Sequence, residues 1–106
     1  MSSKYPAPVL TLCMNQGAWI VGSNAFDPSP DRDYDLLIPW HEWHTVAGFS
    51  AAHNPVANKF GGWKIRVGRV TMDIWPGDLS WLATQPKFKQ AYHPATDTLI
   101  VKADKR

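Results

Sequence analysis

The chain has 106 residues, 44% of them apolar and 19% charged, with eleven Lys and Arg against nine Asp and Glu. That length holds one domain, spanning residues 1–106, with one core and no room for a second, and the composition is that of a globular protein. A net charge of +2 does not by itself argue for nucleic acid, no apolar run reaches the roughly 20 residues that cross a bilayer, and the single cysteine, Cys13, suits a reducing cytoplasm better than a disulfide-linked secreted chain.

In chain order, "MSSKYPAP" reads as an irregular lead-in, and "VLTLCM" is too short for the apolar core of a signal peptide. "VLTLCMNQG" suggests a short helix ended by Gly17, with its "VLTL" half also compatible with a strand. "AWIVG", from Ala18 to Gly22, is apolar and β-branched and reads as a buried strand. "NAFDPSPDR" holds two prolines and several turn formers, so a loop is expected, with one helical turn at its start. Asp27 and Asp31 belong to its turns. "DYDLLI" alternates and then becomes wholly apolar, as a strand entering a core does, and Pro39 ends it.

"PWHEWHTVAGFSAAH" has apolar residues at helical spacing, with Pro39 at a natural first helical position and Gly48 weakening the second half. "NPVANKFGG" reads as a loop. "WKIRV" and "VTMDIW" both alternate across Gly68-Arg69 and form the clearest hairpin signal in the chain. On its second arm Val70, Met72 and Ile74 share one face, while Thr71, Asp73 and Trp75 share the other. "GDLSWLATQ" is a helix capped by Asp78 and stopped by Pro86. "DTLIVKA" is a last short strand. The order is α-β-β-α-β-β-α-β, which predicts a small α/β (α+β) domain with helices packed on a mixed sheet.

The aspartates carry the chemistry. Asp33 and Asp35 stand two apart on a strand, so both carboxylates face one way. Unrelieved, they repel and raise one pKa. A divalent cation removes that conflict, because Mg²⁺ favours one or two carboxylates together with phosphate oxygens and water. Asp73 is a third carboxylate, set between Met72 and Ile74, where folding alone explains it poorly. Three such aspartates at one sheet edge would make a two-metal site. Gly22 and Ser23 end the first strand, where glycine permits close approach of a ligand and the hydroxyl and amides can hold phosphate.

The arrangement "VGS" (Val21 to Ser23), nine residues, "DYDL" (Asp33 to Leu36) and a later "MDI" (Met72 to Ile74) resembles the nucleotidyltransferase superfamily of the DNA polymerase beta type. "FGGWKIRVGRVTMDIWP" is similar to the head-domain hairpin of the poly(A)-polymerase and CCA-adding subgroup and of stand-alone minimal nucleotidyltransferases. The resemblance spans Trp19 to Pro76. It implies transfer of a nucleoside monophosphate from an NTP, ATP among them, to a hydroxyl, with release of pyrophosphate. It implies Mg²⁺ or Mn²⁺ bound by Asp33, Asp35 and Asp73, proton removal by Asp73, and phosphate contacts from Gly22 and Ser23. The acceptor would be a protein, an RNA or a small molecule.

Two departures stand out. Minimal relatives carry an Arg soon after Gly-Ser; here Asn24, Ala25 and Phe26 follow, so Arg66 or Arg32 is expected to make the missing contact. Few residues follow Asp73, whereas family enzymes carry a further helical domain. Either a protein partner supplies it, or the chain is a catalytically weak or inactive head that acts as an antitoxin-like or inhibitor module.

The remaining features read blandly. His41 and His44 in "HEWH" are three apart, not the four of the HExxH zinc motif, and are taken as helix surface. His53 and His93 have no assigned role. Cys13 is a small buried apolar residue. Trp19 and Trp63 belong to the core. Trp75 is free to stack on a base, but packing of Trp75 and Trp81 on the last helix is the simpler expectation. Lys64 reads as a surface charge. So do Lys87 and Lys89, and the cluster Lys102, Lys105 and Arg106.

Overall fold

The computed structural model describes residues 4–25, 28–29 and 32–102. Asp27, Asp31, Lys105 and Arg106 lie outside the described residues. The described residues form a mixed sheet of seven strands with three helices, as the sequence led us to expect in kind. Helix α1 (Ala7–Gln16) is followed by β1 (Trp19–Val21), a single 3-10 turn (Ser23–Ala25) and β2 (Tyr34–Ile38). Helix α2 (Trp40–Ala51) then leads to β3 (Val56–Ala57), β4 (Trp63–Val67) and β5 (Val70–Pro76). Helix α3 (Leu79–Ala83), β6 (Gln90–His93) and β7 (Thr98–Val101) complete it. The strands lie in the order β3-β4-β5-β2-β1-β6-β7. Among the described residues only β2 and β5 run parallel; every other pairing is antiparallel.

Helix α1 ends where a left-handed residue is needed. Gly17 has φ 66° and its amide donates to the Cys13 carbonyl, the role for which glycine carries no Cβ penalty. Pro39 sits one residue outside α2, not inside it: its backbone is extended (ψ 142°) and its carbonyl accepts from the Glu42 amide. The helix runs through Gly48, which faces open space. Gly48→Ala is therefore expected to stabilise the protein by about 0.5–1 kcal/mol, since alanine forms helix more readily and meets nothing; an unchanged or lower urea midpoint would contradict this.

Strand alternation sorts the core into two layers. On one face Ile20, Leu36, Ile38, Ile65, Met72 and Ile74 meet Val9, Leu12 and Cys13 of α1 and Val46 of α2. Burial pushes the Cys13 thiol up to about 12, so it is an inert apolar filler. On the other face Val21, Leu37, Trp75 and Ala91 meet Leu82 of α3 and Phe88. Trp75 is fully buried and its ring centroid lies 4.4 Å from Phe60 and 5.0 Å from Trp81. Trp75 and Trp81 thus pack the last helix, and Trp75 offers no face to a base. Trp19 and Trp63 are partly buried against the two layers.

Two strands escaped the sequence reading. β3 is two exposed residues inside the expected loop, paired to Trp63 and Lys64. β6 lies between β1 and β7, with Ala91 on the α3 face and Tyr92 stacked on Tyr5 (centroids 5.9 Å). Neither shows the apolar alternation that marks a strand in sequence; their neighbours hold them. No helix among the described residues is long and apolar enough to cross a membrane.

Candidate functional site

The second face of the sheet is covered by α3 and the aromatic cluster over Leu37 and Trp75. One rung nearer the starts of β2 and β5, it is open. There the pairing register sets Val21 of β1 opposite Asp35 of β2, Asp35 beside Asp73 of β5, and Asp73 opposite Lys64 of β4. Since paired residues in a sheet point to the same side, this is one row across four strands. A cleft of about 480 Å³ lies over it, lined by Gly22, Ser23, Asp33, Asp35, Lys59, Phe60, Lys64, Asp73, Lys87 and Phe88.

Each side chain is held for a local reason. Gly22 closes β1 with φ 81°, and a Cβ there would lie 3.1 Å from Asp35 Oδ2 and 3.3 Å from the Phe88 ring. Only glycine lets the strand end rest against that carboxylate. Ser23 is exposed at the start of the 3-10 turn. Asn24 is buried, accepts from the Ser29 amide at 2.7 Å and donates to the Asp33 carbonyl at 3.1 Å. It ties the Gly-Ser turn to the segment that presents Asp33. Asn58 does the same for Asp73: its Nδ2 donates to Asp73 Oδ1 and to the Ile74 carbonyl, both at 3.3 Å. Its Oδ1 accepts from the amides of Phe60 and Gly62.

The electrostatics follow from this crowding. Asp35 is pushed up to about 7, first by burial and then by the charges of Asp73 and Asp33, against the opposing pull of Lys87 and Lys64. Asp73 also lies above the usual carboxylate range, chiefly through burial, with Lys64 and the Asn58 hydrogen bond acting the other way. Lys64 Nζ lies 3.0 Å from Asp33 Oδ2 and 3.9 Å from Asp73 Oδ2, and these partners raise its own pKa. Read as a surface charge in sequence, Lys64 is the internal counter-ion of the cleft.

Gly22, Ser23, Asp33, Asp35 and Asp73 are thus brought to one place. Arg66 is not: it lies one alternate position further along β4, exposed, and its Nε donates to the Gly68 carbonyl at the hairpin turn. Lys87, read as solvated surface, lines the cleft. Lys102 was also read as solvated. Instead its Nζ donates to the carbonyls of Leu82 and Gln85, tying α3 to the end of β7. His41 and His44 are exposed on α2.

Lys59, Phe60, Lys87, Phe88 and Asn58 were missed as site residues. One signal was present: the dipeptide Lys-Phe occurs at 59–60 and again at 87–88, and the two copies meet, with the phenylalanine centroids 5.7 Å apart.

Among the described residues no three His, Cys, Asp or Glu side chains close round a single point. The donor chemistry nonetheless fits a hard cation. Asp35 and Asp73 offer adjacent oxygens whose charges burden each other, and Mg²⁺ needs only one or two carboxylates, completing its shell with water and phosphate. No family model, curated protein or solved structure matches the chain.

Proposed function

We propose that the protein is a minimal, metal-dependent nucleotidyltransferase of the cytoplasm that moves a nucleoside monophosphate from an NTP to a hydroxyl. The observation that carries this reading is the register Asp35–Asp73 on parallel neighbours, with Gly22-Ser23 closing the same cleft. Asp35 and Asp73, with Asp33 beside them, would hold Mg²⁺ or Mn²⁺, which when bound neutralises the charge of the phosphates and of the departing pyrophosphate.

The chain's own residues position the rest. Gly22 lets the backbone approach the phosphates, and the Ser23 hydroxyl offers a hydrogen bond. The acceptor oxygen bonds to the α-phosphorus as the bond from that phosphorus to the bridging oxygen breaks, and pyrophosphate leaves. The acceptor's proton passes to Asp73, whose basicity burial has raised against the opposing pull of Lys64. Positioning and charge carry the catalysis.

A second reading draws on Lys64. Its ammonium already bridges Asp33 and Asp73, supplying internally the charge that a metal would bring. On that reading the chain is a nucleotidyltransferase-like module acting through a protein partner. One experiment separates the two. Purified protein is incubated with α-labelled NTPs, Mg²⁺ or Mn²⁺, and cell extract. Transfer predicts a labelled acceptor, with labelling reduced by about 100-fold or more in the Asp33→Ala/Asp35→Ala variant. If no acceptor is labelled under any NTP and metal, the binding-module reading stands.

A further inference from the structure

We propose that Lys59 and Lys87 form a two-ammonium clamp for the terminal phosphates of a polyphosphate chain, with the Phe60 ring as its floor. The proposal deepens the transferase reading and rests on it for the identity of the natural ligand, a nucleoside triphosphate. Lys87 lies beyond the stretch that carries the family resemblance, so the clamp belongs to this chain's own loops.

Lys59 comes from the loop between β3 and β4, and Lys87 from the loop between α3 and β6. Both reach over the same ring: Lys59 Nζ lies 5.4 Å and Lys87 Nζ 5.9 Å from the Phe60 centroid, and Lys87 Nζ is also 5.8 Å from that of Phe88. The two ammonium groups are close enough that Lys59 holds the Lys87 pKa below its ordinary value. Cations over aromatic faces are attracted to them, but two cations side by side repel, and Asp35 offsets this for Lys87 only in part, from beyond ion-pair distance. Among the described residues Lys64 has ion pairs, with Asp33 and Asp73, while Lys59 and Lys87 have none. One cation of the cleft is neutralised from within; two are left for an anion from outside.

The surroundings fix the size of that anion. Phe60 and Phe88 are wedged against Trp75 and Trp81, so the floor under the two lysines is packed from below. Phe88 touches the space beside Gly22, which places the pair next to the proposed phosphate end of the cleft. A compact anion with several charges on adjacent groups fits two converging ammoniums. A nucleic-acid backbone needs a longer stripe of cations, and the next cation along, Lys64, is already paired.

The test uses inorganic tripolyphosphate, without nucleotide or divalent cation, titrated calorimetrically into the intact protein at low salt. Wild-type protein is expected to bind it. Lys59→Gln and Lys87→Gln are each expected to weaken binding about 10-fold, and together about 100-fold, as loss of charge-assisted hydrogen bonds does. Arg69→Gln, on the hairpin turn outside the cleft, is expected to bind as wild type does, and circular dichroism confirms that all variants are folded. Lysine-dependent binding without any NTP transfer supports the clamp and removes the transferase reading. Conversely, NTP transfer with tripolyphosphate binding indifferent to both lysines overturns the clamp and leaves the transferase. Absence of wild-type binding overturns the clamp, as does tighter lysine-dependent binding of a single-stranded oligonucleotide.

Discussion

Gly62→Ala is expected to cost the protein its fold. A Cβ on residue 62 would lie 1.9 Å from the Ile74 carbonyl oxygen, 2.7 Å from the Trp75 Cα and 2.8 Å from the Ile74 carbonyl carbon. All three are backbone atoms of β5, which is pinned between β4 and β2 and cannot step aside. Ordinary overpacking of a core costs about 1–3 kcal/mol; here relief requires prising one strand from another, so a loss of about 4 kcal/mol or more is expected. That is a large share of the 5–15 kcal/mol typical of a domain. The damage would reach the cleft, because the Gly62 amide is one of the two that hold Asn58, and Asn58 holds Asp73. Urea unfolding followed by circular dichroism reads the effect directly. A variant with the wild-type midpoint would show that the approach of β5 to this loop is not needed.

The second large effect runs the other way. Asp35→Asn is expected to stabilise the protein above neutral pH while abolishing the proposed transfer. The sign follows from the proton balance. Asp35 titrates at about 7 in the folded protein and at about 3.9 when unfolded. Between those values the folded state holds a proton that the unfolded state has lost. Stability is therefore complete below about pH 4 and falls as pH rises through about 7. The full interval would be worth about 4 kcal/mol; partial contact of the side chain with water trims this to about 2 kcal/mol. Asp73 adds in the same direction. Wild-type protein should thus unfold at lower urea at pH 8 than at pH 5, and Asp35→Asn should flatten that difference. An asparagine variant less stable than wild type at pH 8 would mean that the ionised carboxylate is compensated, and the account of a charge-burdened cleft would fail.

How much of this could be read from the sequence depends on how local each cause is. The Gly68-Arg69 hairpin and the strand of Asp35 announce themselves by alternation, and Gly17 and Asp78 by the end of a helix that each terminates or begins. The carboxylates of Asp35 and Asp73 were legible for a different reason: an acidic residue in an apolar strand is costly enough to need explaining, and Asp33 stood out by its spacing from Asp35 although it lies just ahead of the strand. β3 and β6 were not legible, because Val56-Ala57 and "QAYH" pair through neighbours supplied by distant segments. The roles of Asn58, Lys64, Lys87 and Lys102 were hidden for the same reason. Lys64 is a surface charge by every local criterion until Asp33, just ahead of β2, arrives 3.0 Å away. Arg66, two residues on, has the same local character and a different fate.

The order of the strands has a consequence for a chain made from its N-terminus. The row Val21–Asp35–Asp73–Lys64 is complete once residue 76 has emerged from the ribosome. Its β1 border is not. That edge waits for Ala91 and Tyr92 of β6, and the cover over Trp75 waits for α3 and Phe88. For an interval during synthesis the nascent protein therefore carries its acidic row beside a raw strand edge and a bare indole, the surfaces through which half-made chains stick to one another. The segment after residue 76 supplies Lys87 at the rim of the cleft and, in the same movement, seals the β1 edge of the sheet.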